Sequence, residues 1–175
     1  MKSFKVGILS DPHRKTKLHK EAILHLKEVG ANYLLHLGDL VVEDNLKLLE
    51  DASLPYRAVF GNNDSALKSL SGYQIFAEPY YLKIKDITFK MMHLPYYLTP
   101  DSDVVLFGHT HQFACEFKNN TLYLNPGEVC AREKPISEHT LLEVDNKSFK
   151  VIYYYKEPNQ SQWQSREFNF KRSNE

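Results

Sequence analysis

Five short apolar runs in this chain each stop at a residue that can offer a lone pair to a cation. FKVGILS (4–10) runs into Asp11-Pro12-His13, and YLLHLG (33–38) into Asp39. PYRAVFG (55–61) runs into Asn62, TFKMM (88–92) into His93, and DVVLFG (103–108) into His109-Thr110-His111. One Gly-Asp pair or one terminal His is ordinary turn chemistry, since Gly permits positive φ and Asp bonds its own backbone. Five in order are hard to obtain from packing needs alone.

Between these runs the pattern changes period. From Thr16 to Val29 the apolar residues Leu18, Ala22, Ile23, Leu26 and Val29 fall at helical spacing, and Gly30 is a stop signal. A short helical segment is expected around Asn45–Leu49. Another follows GNND, capped by Ser65 or Asp64. Strand and helix therefore alternate in the first half, with connections too long for hairpins, so parallel strands with right-handed crossovers are expected. The second half reads as hairpins turning near Lys85-Asp86, at Asn119-Asn120 and at Asp145-Asn146-Lys147. The sum is one α/β domain over 1–155, two sheets face to face with helices outside. Residues 156–175 are polar and weakly patterned, either an edge strand or a frayed tail.

The 175 residues carry 22 basic and 22 acidic side chains, so net charge attracts neither nucleic acid nor an anionic membrane. Hydrophobic residues at 42% and charged ones at 25% are a globular composition, and no apolar run approaches a membrane span. Two cysteines, Cys115 and Cys130, make no disulfide framework. The N-terminus MKSFKVGILSDPH lacks the cleavage site of a signal peptide. A reducing cytoplasm is the expected setting.

In open α/β sheets, sites form outside the carboxyl ends of the strands, where residues distant in sequence converge. The terminal residues include two Asp, one Asn and four His: Asp11, Asp39, Asn62, His13, His93, His109 and His111. That is more than one tetrahedral zinc needs. It suits two ions bridged by one carboxylate, about 3.5–4 Å apart. Proline at position 12 biases Asp11 toward extended backbone, where residues i and i+2 point to one side. His109 and His111 repeat that spacing.

DPH (11–13), GD (38–39), GNND (61–64), His93 and GHTH (108–111) resemble the signature of the calcineurin-like metallophosphoesterases, in particular their small bacterial and archaeal phosphodiesterases. The resemblance spans roughly residues 3–155. It implies a four-layer α/β/β/α sandwich of two mixed sheets. It also implies a first metal on Asp11, His13 and His111, a second on Asn62, His93 and His109, and Asp39 bridging them. The ions would be divalent, with Mn²⁺ expected and Fe, Ni²⁺ or Zn²⁺ compatible. The implied reaction is hydrolysis of a small phosphodiester by a hydroxide that bridges the ions. Asp39, Asn62 and His109, with Asp64 at the end of GNND, are the catalytic candidates. The alternatives are a phosphomonoesterase and a non-catalytic scaffold, since the family includes a retromer subunit that uses this fold for partner binding. No nucleic-acid module or membrane partner is expected; a homodimer or higher homo-oligomer is compatible.

Several positions depart from the family pattern. Asn63 stands where His or Cys is usual, and an amide cannot be a general acid. Leu94-Pro95 replaces a second His-containing pair. Arg14 stands where Gly is common and is either a phosphate ligand or a solvated surface cation. Glu128, where Ser is common, is either an acceptor behind the metals or a loop charge. His36 is expected to be a packed, hydrogen-bonded strand residue, and His19, His25 and His139 to lie at the surface. Cys115 and Cys130 are expected to be inert and away from the site. Tyr80, Tyr81, Tyr96 and Tyr97 either wall a substrate pocket or pack. Trp163, Phe168 and Phe170 make an exposed-looking aromatic tail suited to docking.

Overall fold

The computed structural model describes residues 2–173. Its elements in chain order are β1 (Phe4–Leu9), α1 (Thr16–Glu28), β2 (Tyr33–His36), α2 (Glu43–Asp51), β3 (Tyr56–Val59), a 3-10 helix (Ser65–Ser69) and β4 (Ile75–Phe76). Then come β5 (Tyr80–Ile84), β6 (Ile87–Met91), β7 (Val104–Leu106), β8 (Phe113–Lys118), β9 (Thr121–Pro126), β10 (Ser137–Val144), β11 (Ser148–Lys156) and β12 (Gln164–Lys171).

Seven strands form one sheet, in the order β12-β11-β10-β1-β2-β3-β4, and five form a second, β5-β6-β7-β9-β8. β1 to β4 run parallel, with α1 and α2 as crossovers, while β10 to β12 return antiparallel. In the second sheet β6, β7 and β9 are parallel. The parallel strands of both sheets carry the site residues at their carboxyl ends.

Period-two alternation sorts side chains between two cores. Val6, Ile8, Leu35, Leu37, Phe89, Met91, Leu106, Leu124 and Leu142 fill the space between the sheets. Leu9, Leu34 and Leu141 point the other way, onto Ala22, Ile23 and Leu26 of α1 and Leu46 and Leu49 of α2. Gly7 sits under α1, where an added Cβ would stand 2.9 Å from Leu26 Cδ1.

The expected mixed α/β architecture of two facing sheets is present, and among the described residues its helices all lie on the first sheet. Both α-helices and the 3-10 helix bury their apolar residues against the first sheet. The β6–β7 connection crosses the outer face of the second at β6, while outward residues of β5 and β8 such as Tyr81 and Glu116 are exposed. There Lys90, 1% exposed, bonds Thr99 Oγ1 at 2.7 Å and Asp101 Oδ1 at 3.0 Å. The segment after residue 155 also differs from a frayed tail. Phe168 and Phe170 turn inward from β12, against Phe113 and Phe117 of β8, and close the gap between the sheets. Trp163 stacks on His25. These aromatic residues are packing groups, not a docking surface.

Candidate metal centre

Three of the five ligand-bearing loops hold their ligands in the left-handed region rather than in extended backbone. Asp11 (φ 55°), His13 (φ 48°), Asp39 (φ 57°), His109 (φ 66°) and His111 (φ 60°) all occupy the left-handed region. This overturns the extended geometry expected from Pro12. The left-handed region costs an L-residue roughly 1–2 kcal/mol, so surrounding bonds must hold it. They do: Asp11 N donates to Gly38 O and His13 N to Asp39 O, each at 3.1 Å, which ties the first two loops together. Val129 N donates to Ser10 O and Cys130 N to Asp11 O. Gly108 N donates to His93 O at 3.1 Å, and His93 Nδ1 donates to Leu37 O at 2.7 Å across the two sheets. Close backbone approach requires glycine at two places. A Cβ on Gly61 would stand 2.2 Å from Asp39 Oδ1, and one on Gly108 2.2 Å from Ser10 Oγ.

The seven expected ligands converge. Asp11 Oδ1 lies 3.4 Å from His111 Nε2 and 3.9 Å from His13 Nε2, and the two imidazole nitrogens are 3.4 Å apart. Asn62 Oδ1 lies 2.9 Å from His93 Nε2 and 3.2 Å from His109 Nδ1. Between the two groups sits Asp39, whose Oδ2 is 3.5 Å from His13 Nε2 and 3.4 Å from His93 Nε2. Donors bound to one ion at about 2.1 Å stand about 3.0–3.4 Å apart, so these distances are close to the edges of coordination polyhedra. The donor set fits divalent ions in a second respect. Asp11 Oδ2 accepts from Ser10 Oγ (2.6 Å) and His109 N (3.1 Å), yet the buried Oδ1 has no hydrogen-bond partner. An orphaned carboxylate oxygen beside imidazole nitrogens is costly unless a cation takes it.

The electrostatics follow from burial and neighbours. Burial opposes the charge on Asp39, but bonds from His93 and Asn63 outweigh it and hold the carboxyl well below the usual range. Burial also disfavours charge on His93, but the Asp39 and Asp11 carboxylates overcome it and raise its pKa to about 9. Desolvation pushes Asp11 up and His13 down.

Residues behind the ligands orient them. Glu128, fully buried, takes His111 Nδ1–H on Oε2 at 2.5 Å, which leaves Nε2 for the ligand cluster. Its Oε1 accepts from Glu133 N and Lys134 N, each at 2.8 Å. Cys130 Sγ lies 3.8 Å from His111 Nδ1, beside the site rather than away from it. Burial and the Glu128 carboxylate raise this thiol to about 12, so it is a packed neutral group. Asp64 is a positioning residue, not a catalytic one. It caps the 3-10 helix by position without a side-chain bond, is fully buried, and accepts from Val41 N (2.7 Å) and Gly61 N (2.6 Å). Asn63 braces the bridge, giving N to Asp39 Oδ1 at 3.0 Å and Nδ2 to Oδ2 at 2.9 Å.

The histidines expected at the surface are inside. His19 is fully buried, and its Nδ1 donates to Asn45 Oδ1 at 2.9 Å. Asn45 Nδ2 in turn donates to His13 O (2.6 Å) and Leu40 O (2.7 Å), so α2 braces two site loops. His139 is fully buried against half-buried His25, 2.8 Å nitrogen to nitrogen. His36 is packed as expected and accepts Gly38 N–H at 3.1 Å. Tyr80 stacks on Phe76, and Tyr81 donates to Asp101, while Tyr96 stays 73% exposed; none of them lines the cleft over the ligands. That cleft, about 250 Å³, is lined by Asp39, Asn62, Asn63, His109, His111 and Arg132 among others. Arg14 is exposed and outside it. Arg132 is the basic residue that sequence reasoning missed. Its signal is faint, the short charged run REK after the NPG turn.

A cluster of this composition at the carboxyl ends of two facing mixed sheets defines a metallophosphoesterase. The chain belongs to the calcineurin-like phosphoesterase superfamily, whose domain model matches residues 4–147. It is 27% identical over 162 residues to the phosphodiesterase MJ0936 of Methanocaldococcus jannaschii, covering 85% of this chain and 98% of that protein. To YsnB, a probable metallophosphoesterase of Bacillus subtilis, it is 28% identical over 160 residues, covering 85% and 89%. In fold it resembles a solved archaeal phosphodiesterase, with a TM-score of 0.71 at 23% identity over 94% of this chain and all of that one. It likewise resembles a double mutant of Vps29 from Entamoeba histolytica, with a TM-score of 0.76 at 18% identity over 95% and 99%.

Proposed function

We propose that this protein is a phosphodiesterase that hydrolyses a small phosphodiester with two divalent cations. Asp11, His13 and His111 would hold one ion and Asn62, His93 and His109 the other, with Asp39 shared. The observation that carries the reading is Asp39 Oδ2, 3.5 Å and 3.4 Å from one imidazole of each group. Such a pair of ions neutralises a phosphoryl group and lowers the pKa of water enough to supply hydroxide near neutral pH.

The chain's own part is to hold this cluster rigid and to leave one face open to substrate. Glu128 and the Leu37 carbonyl orient His111 and His93 through their Nδ1 protons. Asn63 holds both Asp39 oxygens, which fixes Oδ2 toward the cluster. It has no proton to give a leaving group. Mn²⁺ is the expected metal, and mixed N/O ligation also accepts Fe, Ni²⁺ or Zn²⁺. The free thiols Cys115 and Cys130 fit a reducing, cytoplasmic setting.

The test is hydrolysis of bis(p-nitrophenyl) phosphate by metal-stripped protein, with and without Mn²⁺, beside His109→Ala. Mn²⁺-dependent turnover that the variant loses supports the reading. No turnover with any divalent ion, from folded protein that binds metal, overturns it. The phosphomonoesterase reading draws on Arg132 in the cleft, since a guanidinium favours a dianion. Faster turnover of p-nitrophenyl phosphate than of the diester would favour it.

A further inference from the structure

Two features of the β9–β10 connection remain unused by the metal cluster itself. Arg132 Nη2 lies 3.3 Å from His111 Nε2, and Arg132 is the only Lys or Arg among the described residues that line the cleft. Glu128, at the base of the same connection, is a fully buried carboxylate that captures Glu133 N, Lys134 N and His111 Nδ1 together.

We propose that residues 127–136 form a phosphate-reading arm in which Arg132 binds the substrate's phosphoryl oxygens and Glu128 is the positioning residue that anchors the arm to His111. The proposal rests on the phosphodiesterase reading and names how that site holds its substrate.

The argument starts from repulsion. A guanidinium that touches the nitrogen facing the ligand cluster would be displaced by a cation bound there, and only an anion held by that cation would keep it in the cleft. A tetrahedral phosphate supplies that anion, and its paired oxygens match the guanidinium fork. Arg132 Nε pairs with Glu133 Oε1 at 3.4 Å while Nη2 reaches the cluster, so the fork has a braced side and a reading side.

The arm is preorganised from below. Glu128 takes two backbone N–H groups of its own loop, and Lys134 Nζ bridges to Glu138 Oε2 at 3.1 Å and bonds the His111 carbonyl. One carboxylate therefore holds both the His111 ring and the backbone that follows Arg132.

The cleft, about 250 Å³ and open to solvent on one side, has room for a phosphoryl group within reach of Arg132. Glu133 at the mouth disfavours a polyanion.

The experiment titrates inorganic phosphate into Mn²⁺-loaded protein by calorimetry, with Mn²⁺ affinity measured alongside. Arg132→Ala is expected to bind Mn²⁺ within about threefold of wild type and phosphate roughly 10–100-fold more weakly, the loss typical of charge-assisted bonds. Arg132→Lys should recover part of it. Glu128→Gln should weaken both ligands, and Arg14→Ala neither. Phosphate binding by Arg132→Ala at wild-type strength overturns the reader, and so does wild-type protein that binds no phosphate. Wild-type phosphate affinity in Glu128→Gln overturns the anchor. If the protein binds phosphate through Arg132 yet hydrolyses no ester, the phosphodiesterase reading fails and the arm stands.

Discussion

At the scale of single residues, position 63 decides what kind of ester can react. Asn63 spends its amide on Asp39 and cannot protonate a leaving group. General-acid help is typically worth ~10²–10⁴-fold, so an aryl diester is expected to react far faster than an alkyl one. Asn63→His should raise the alkyl rate selectively. Comparing kcat on bis(p-nitrophenyl) phosphate and on diethyl phosphate checks both, and equal rates with chemistry limiting would refute them. Gly61 makes a steric prediction. In Gly61→Ala the new Cβ meets Asp39 Oδ1 and Asp39 N at 2.2 and 2.3 Å; the second is backbone and the first is a carboxylate held by Asn63. A loss of about 1–3 kcal/mol in urea unfolding is expected, with weakened Mn²⁺ binding. Stability and affinity matching wild type would mean the loop relaxes freely. The positive φ at Asp11 was not legible, because Pro12 argues for the opposite conformation. Inter-loop bonds, absent from local sequence, overrule it.

At the scale of elements, the strands that end on ligands were readable because apolar runs and turn residues mark both of their ends. β12 was legible only as an edge strand or a frayed tail. It alternates Phe168 and Phe170 with polar neighbours, and its strand character depends on pairing with β11 and stacking against β8. Phe168→Ala is expected to cost about 1–3 kcal/mol, below a full core deletion because the ring is half-buried. The same variant should keep Mn²⁺ affinity within a few-fold of wild type, since Phe168 reaches the ligand loops only through Phe113, two residues past His111. Urea titration with Mn²⁺ calorimetry separates the two effects. The β6–β7 connection taught the reverse lesson. Lys90 looks like a solvent-facing strand residue, but its ammonium is buried and anchors the covering segment through Thr99 and Asp101. Alternation predicts which face a residue takes, not what a distant loop lays over that face.

At the scale of the whole molecule, buried neutral histidines make stability depend on pH. Burial lowers His19 to about 4, and also depresses His36 and His139. As pH falls from 6.5, the unfolded chain takes up these protons before the folded one does. The stability they contribute is present above pH 6.5 and lost as pH falls toward 4. His19 alone accounts for roughly 3 kcal/mol across that window. Urea midpoints should fall as pH drops from 6.5 to 4.5, and His19→Gln should flatten the fall. A flat wild-type profile would mean the imidazoles reach water. Sequence by itself determined the alternating α/β order, the five ligand-ended strands and the family, because each is written in local period, in turn residues or in short motifs. Only the tertiary structure decided that His19 and His139 are buried, that Glu128 holds His111, and that Arg132 rather than Arg14 enters the cleft. Those outcomes depend on which loops the two sheets bring side by side, and contact across loops leaves no periodic trace in the chain.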